Sequence, residues 1–284
     1  MRSSRRTYLL LVAALAAVGA LALLWISPES SDDAGDRAIR AGPARVEDPE
    51  RRRGVHAAPA PVPDGPTVAP ARAMHRLDVD APAGAHPVIW VLPGERVAIR
   101  TEPGGGDLVE VVGRRTEFGS PTVFGVVRTS GRWAAVSTAA LGNDRLGWVR
   151  LDSRRLDSGW TELSIVVSLS GRRAELREGD EVVRSFPVTI GAPGSETPTG
   201  RFAVTDTFRG GLSPVYGCCA VAISAIQPDL PSGWLGGNRI AIHGNGTGEP
   251  LGIAASNGCL RAEDEHVDAL VNEVGLGTPV FVRS

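Results

Sequence analysis

From residue 85 onward the sequence is a series of short apolar runs cut by glycine and proline, and that rhythm restricts the chain to a mainly β architecture. Over 85–152 the runs fall at 88–92, 97–99, 108–112, 123–127 and 133–136. Pro93-Gly94, Pro103-Gly104-Gly105-Gly106 and Gly119-Ser120-Pro121 separate them, which predicts a small antiparallel barrel or sandwich. A second β-rich region, 163–284, opens with an apolar run at 164–169. Alternating runs at 173–177 and 181–188 then flank Glu178-Gly179-Asp180, the pattern of a hairpin. Near its end Val267, Leu270, Val271 and Val274 stand at i, i+3, i+4 and i+7 behind Glu263-Asp264-Glu265. That spacing predicts one short helix stopped at Gly275, with a last strand over 278–282.

Ahead of these regions the chain changes character twice. Arg2, Arg5 and Arg6 precede a nearly unbroken apolar run over 8–26. At about 1.5 Å per residue the run spans about 28 Å, close to the roughly 30 Å hydrocarbon core of a bilayer. Segment 1–27 is thus expected to be a transmembrane anchor with its arginines on the cytoplasmic side. The alternative is a signal sequence cleaved after Ala20-Leu21-Ala22, although the apolar run continues past that point to Ile26. Over 28–84 the composition shifts to Pro, Ala, Asp, Glu and Arg, including Ala57-Ala58-Pro59-Ala60-Pro61-Val62-Pro63. Such a segment buries too little apolar surface to offset its ordering entropy and is expected to be a disordered linker. The folded part is expected outside the cytoplasmic membrane, in the cell envelope.

A net charge of -2 gives no ground for nucleic-acid binding, which calls for a clustered basic face. The three cysteines, Cys218, Cys219 and Cys259, are too few for a disulfide framework and lack the paired spacing of a zinc site, so neither metal nor cofactor is expected. Cys218 and Cys219 continue an apolar run, Val215-Tyr216-Gly217-Cys218-Cys219-Ala220-Val221-Ala222, and are read as packing residues, with a vicinal disulfide as the alternative. His56, His75, His86 and His266 are expected in solvent. Trp133 and Trp148 fit either a ligand groove or the packing of a small barrel.

The chemistry concentrates in one interval that opens with Ile242-His243-Gly244 and closes with Ser256-Asn257-Gly258-Cys259-Leu260-Arg261. A thiol attacks as thiolate, and a partner imidazole or a helix start lowers its pKa toward that form. Both are expected to act on Cys259, which lies on the turn leading into the helix. His243 is the candidate general base and acid, and its second ring nitrogen needs an acceptor to fix the tautomer. Backbone N–H groups around Gly258 and Cys259 are the natural donors to an oxyanion, since glycine lets the main chain approach closely; Gly244 stands beside the imidazole in the same way. Arg261 offers a fixed fork of donors, either for substrate carbonyls and carboxylates or for bracing the turn. Tyr216 is assigned to the cleft wall or to structure.

These residues resemble the signature of the L,D-transpeptidase (YkuD) family of bacterial cell-wall enzymes, in which His-Gly is followed by Ser-His-Gly-Cys-hydrophobic-Arg. The order strand, strand, Thr197-Pro198-Thr199-Gly200, strand extends the resemblance over 163–283. Asn257 departs from the pattern, so a role for a second imidazole does not carry over. The resemblance implies that Ser256 supplies the acceptor for His243, and that Cys259 attacks the L-centre carbonyl of diaminopimelate in a donor tetrapeptide stem of peptidoglycan. D-alanine would leave, and the amine of an acceptor stem would take the acyl group to form a 3-3 cross-link. It also implies inhibition by β-lactams of the carbapenem type. With water as acceptor the same apparatus is an L,D-carboxypeptidase, and a non-catalytic, membrane-tethered wall-binding protein is the reading outside enzymes. Wall hydrolases of the NlpC/P60 type place cysteine before histidine, opposite to the order here. Gly131-Arg132-Trp133 with Leu146-Gly147-Trp148-Val149 is similar to bacterial SH3-like domains, which gives region 85–152 an SH3-like expectation.

Overall fold

Two large β-sheets, each with its own apolar cluster, and a two-stranded one are found in the computed structural model, which describes residue 77, residues 79–230 and residues 238–284. The expected anchor at 1–27, nearly all of the linker at 28–84, and His56 and His75 lie outside the described residues.

The first sheet holds β1 (His86–Val91), β2 (Val97–Arg100), β3 (Leu108–Val112), β4 (Val123–Ser130), β5 (Trp133–Ser137), β6 (Leu146–Arg150) and β7 (Leu156–Thr161). It is antiparallel throughout, in the order β3-β2-β6-β5-β4-β1-β7. Alternation sorts its residues: Val97, Ile99, Ala134, Val136 and Val149 turn into the core, while Arg100, Trp133 and Arg150 occupy the other face. Trp148 is buried on that outer face beneath the Arg128 guanidinium, 5.4 Å from its ring. His86 was expected in solvent but opens β1 half-buried against Phe281, because the strand begins earlier than the apolar run does.

The second region contributes β8 (Leu163–Ser168), β9 (Arg173–Glu178), β10 (Glu181–Pro187), β11 (Ile190–Gly191), β12 (Gly200–Phe208), β13 (Ala220–Ile226), β14 (Arg239–His243), β15 (Ala254–Ser256), β16 (Leu260–Arg261), α1 (Asp264–Glu273) and β17 (Pro279–Arg283). Eight of its strands form a mixed sheet in the order β10-β9-β8-β17-β12-β13-β14-β16, and β11 pairs in parallel with β15. Glu178 pairs with Glu181, so Gly179-Asp180 closes the β9–β10 hairpin, with Gly179 at φ +56° as such a tight turn requires. Helix α1 buries Val267, Leu270 and Val271. They join a core that includes Phe186, Ile223, Ile240, Ile242 and Leu260, each such side chain contributing about 1.5–3 kcal/mol by leaving water. His266 was expected in solvent as well, but the helix lays its ring on Phe186 at 4.8 Å.

The two sheets touch through small residues and polar ties. A side chain at Gly125 would meet the Gly277 carbonyl oxygen at 2.6 Å, so the two backbones abut there. Nearby, Asn143 exchanges hydrogen bonds with the backbone of Ile226, both at 2.8 Å. Thr116 donates to the buried Asp206 at 2.5 Å.

Candidate active site

Strand β14 explains why His243 points where it does. Ile240 and Ile242 are buried in the core, so Arg239, Ala241 and His243 must take the opposite face. Strand β16 pairs with β14 in parallel, Ile242 opposite Leu260 and His243 opposite Arg261. Leu260 shares the core with Ile242, so Cys259, one residue earlier, turns to the face that carries Ala241 and His243. The sixteen-residue separation in sequence thus closes into neighbouring positions on one sheet edge.

His243 is buried, and its Nδ1 lies 2.8 Å from the carbonyl oxygen of its own neighbour, Gly244. A carbonyl only accepts, so Nδ1 carries the proton and Nε2 keeps its lone pair. Ser256, expected as that acceptor, serves elsewhere: its hydroxyl donates to the Cys259 carbonyl at 2.5 Å and accepts from Gly258 N–H at 3.1 Å. Its carbonyl accepts from Ala192 N–H and the Ser195 hydroxyl. The short turn from Ser256 to Cys259 consumes these groups locally, before they can reach the imidazole. It also engages the Gly258 N–H that had been assigned to an oxyanion.

The edge of Tyr216 meets the His243 ring at 5.0 Å between centroids. Gly244 donates its N–H to the Cys219 carbonyl, and a side chain there would meet Asp264 Oδ1 at 2.1 Å and push that carboxylate aside. Asp264 in turn accepts from the N–H groups of Cys218 and Asn245. Cys218 and Cys219 are joined in a vicinal disulfide, and they also pack as expected, Cys219 within the core and Cys218 against it. Cys259 is the free thiol among the described residues.

Cys259 is half-buried and its thiol donates to the Arg239 carbonyl at 4.0 Å. Burial pushes the thiol above its ordinary pKa, against a hydrogen bond with the Ala241 backbone that pulls it down. Burial also lowers His243, assisted by the Arg261 charge and opposed by the Gly244 hydrogen bond and by Asp264. Both environments favour the neutral forms, so the resting pair is thiol and imidazole, not the ion pair first expected. Helix α1 starts at Asp264, with β16 between it and Cys259, so the thiol does not sit at the helix start as the sequence had predicted.

Arg261 is buried, with its guanidinium on Thr247 and 2.5 Å from Glu249, bracing the loop after His243. Its backbone exchanges hydrogen bonds with Thr189. Asn257 is exposed beside the thiol turn. The Thr197-Pro198-Thr199-Gly200 segment also contributes to the site. Thr197 is buried, donates its hydroxyl to the Gly258 carbonyl at 2.8 Å and accepts from Gly191 N–H at 2.9 Å, clamping the turn before Cys259. Arg239, whose carbonyl receives the thiol, carried no signal at all in the sequence. Among the described residues no cluster of His, Cys, Asp and Glu forms a metal site.

Cys259 and His243 thus lie on one face at the edge of a mixed β-sheet. Residues 162–282 match the family model of YkuD, the L,D-transpeptidase catalytic domain. The candidate L,D-transpeptidase YkuD of Bacillus licheniformis is 29% identical over 118 residues, covering 42% of this chain and 64% of the relative. Its counterpart from Bacillus subtilis is 26% identical over 119 residues, covering 42% and 65%. The chain thus spans just under two thirds of the length of these relatives. The crystal structure of L,D-transpeptidase 3 from Mycobacterium tuberculosis is 18% identical, covers 49% of this chain and 74% of that one, and has a TM-score of 0.36.

Proposed function

We propose that this protein is a peptidoglycan L,D-transpeptidase that forms 3-3 cross-links through a thioester on Cys259. The observation that carries the reading is the β14–β16 register, which brings Cys259 to the level of Ala241, two residues along the same face from His243, whose Nε2 is left basic. In the first step Nε2 takes the thiol proton as sulfur attacks the L-centre carbonyl of a tetrapeptide stem. The Cys259 N–H, engaged by no hydrogen bond among the described residues, is the donor we assign to the oxyanion. The imidazolium then protonates the leaving amine, D-alanine departs, and the acyl group stays on sulfur. An amine from a neighbouring stem attacks the thioester, gives its proton to His243, and releases the cross-linked product and the thiol. Water in place of that amine makes the same site an L,D-carboxypeptidase.

The apolar run at 8–26 supports a membrane anchor that holds the chain at the outer side of the cytoplasmic membrane, and the glycine–tryptophan pattern of 85–152 supports an SH3-like module. The test is release of D-alanine from a tetrapeptide-stem muropeptide, with muropeptide analysis to separate transfer from hydrolysis. Cys259→Ala should abolish release while keeping the fold, and a carbapenem should add to Cys259 in intact-protein mass spectrometry. Turnover by Cys259→Ala equal to the parent, or an adduct elsewhere, refutes the reading.

A further inference from the structure

The outward face of the first sheet is built differently from an ordinary solvated face. Register sets Ala98, Arg150 and Trp133 in one row across β2, β6 and β5, with Arg100 opposite Trp148 in the next row. A cleft of about 540 Å³ opens over this face, within the size range of ligand sites. Its walls carry Arg96, Arg100, Arg150, Arg154 and Arg155 around the half-buried Trp133.

The charge in the cleft is one-sided. Asp152 is the carboxylate among its lining residues, and Arg154 already holds it with two hydrogen bonds, at 2.9 and 2.7 Å. Arg155 stands 4.0 Å from Glu95 and gives one N–H to the Arg96 carbonyl. Arg96 and Arg100 each spend an N–H on a backbone carbonyl, of Val111 and Gly106, which fixes the guanidinium without discharging it. Each guanidinium has five N–H groups, so donors remain for an incoming anion. Among the described residues Asp152 and Glu95 are the carboxylates that pair with this cluster, which leaves Arg96, Arg100 and Arg150 without an ion-pair partner there.

We propose that this cleft binds a carboxylate-bearing peptide chain. Arginine forks pair two-pronged with carboxylates, and Trp133 offers the flat apolar surface that an aliphatic stretch between two carboxylates covers and a bare polyphosphate does not. The site lies on a different sheet from Cys259 and stands whether or not the thiol acts as proposed.

The full chain, titrated at low salt with a fluorescein-labelled tetraglutamate peptide, is expected to raise its anisotropy saturably. Arg100→Gln combined with Arg150→Gln should weaken binding by about tenfold or more, with melting temperature and circular dichroism reporting that the fold persists. Arg145→Gln, an exposed residue not among those lining the cleft, should leave binding unchanged. Independently of any variant, the peptide should shift the assigned indole NMR signal of Trp133. Equal affinity in the double variant, equal binding of tetraglutamine, an unmoved Trp133 signal, or displacement by tripolyphosphate at lower concentration than by unlabelled peptide would each overturn the proposal.

Discussion

Arg239 ties the strand of the candidate base to the other sheet: its guanidinium lies 2.7 Å from Glu117, with Phe118 beneath it at 5.8 Å. The same side chain donates to Thr205 and to the Ile223 carbonyl, and its own carbonyl receives the Cys259 thiol. The partners differ in exposure, 15% for Arg239 and 59% for Glu117. An ion pair so open to water is worth at most about 1 kcal/mol, so Glu117→Gln should change unfolding free energy by less than that. Arg239→Ala also strips hydrogen bonds from a covered site and should cost about 1–3 kcal/mol. Denaturant unfolding checks both, and D-alanine release should fall further for Arg239→Ala than for Glu117→Gln.

The depressed pKa of His243 sets the acid limb of activity. The base must be neutral, and burial lowers its pKa below the ordinary value of about 6.5. A profile of kcat/KM against pH should therefore hold its plateau below that value before falling. Stability follows the same sign: the unfolded chain binds this proton more readily, so the contribution of His243 is full above about 6.5 and is lost as pH falls toward the folded pKa. His243→Gln should flatten that acid loss in urea melts taken across pH.

Thr197→Val keeps the side-chain volume and removes the hydroxyl that joins Gly191 to Gly258. Both backbone partners are then left unpaired in a covered site, at about 1–3 kcal/mol. The loosened turn should also slow acylation of Cys259, read as the rate of carbapenem adduct formation. Adduct formation at the parent rate would show that the clamp does not position the thiol.

Gly258 stands at φ +105°, and a methyl group there would meet Gln227 Nε2 at 2.8 Å and Ile240 Cδ1 at 3.0 Å. Gly258→Ala should destabilise the fold by about 1–3 kcal/mol from the backbone alone, measured by thermal unfolding.

Thiol counting tests the disulfide. The unreduced protein, unfolded in the presence of a thiol reagent, should yield one thiol, and Cys259→Ala should yield none. Three thiols in the parent would mean that Cys218 and Cys219 are free.

Local signals were legible in the sequence because local rules set them. The β9–β10 hairpin follows from alternation around Gly179-Asp180, and α1 from apolar spacing behind an acidic first turn. What escaped depends on distance or on a single torsion. Glu117 and Arg239 lie 122 positions apart, Thr197 and Gly258 61 apart, and no periodicity links either pair. The acceptor on His243 is set by the conformation of Gly244, and adjacent cysteines read alike whether oxidised or reduced. Burial, invisible in composition, reversed the expected charge state of the pair.

In the eight-stranded sheet, β17 lies between β8 and β12, pairing in parallel with one and antiparallel with the other. The strand made last among those described is thus the keystone between an early three-strand leaf and the leaf that bears His243 and Cys259. Without β17 the facing edges of β8 and β12 would lose their ladder partner and stand open to strands of other chains. One short strand, Pro279–Arg283, thus joins both halves of the sheet.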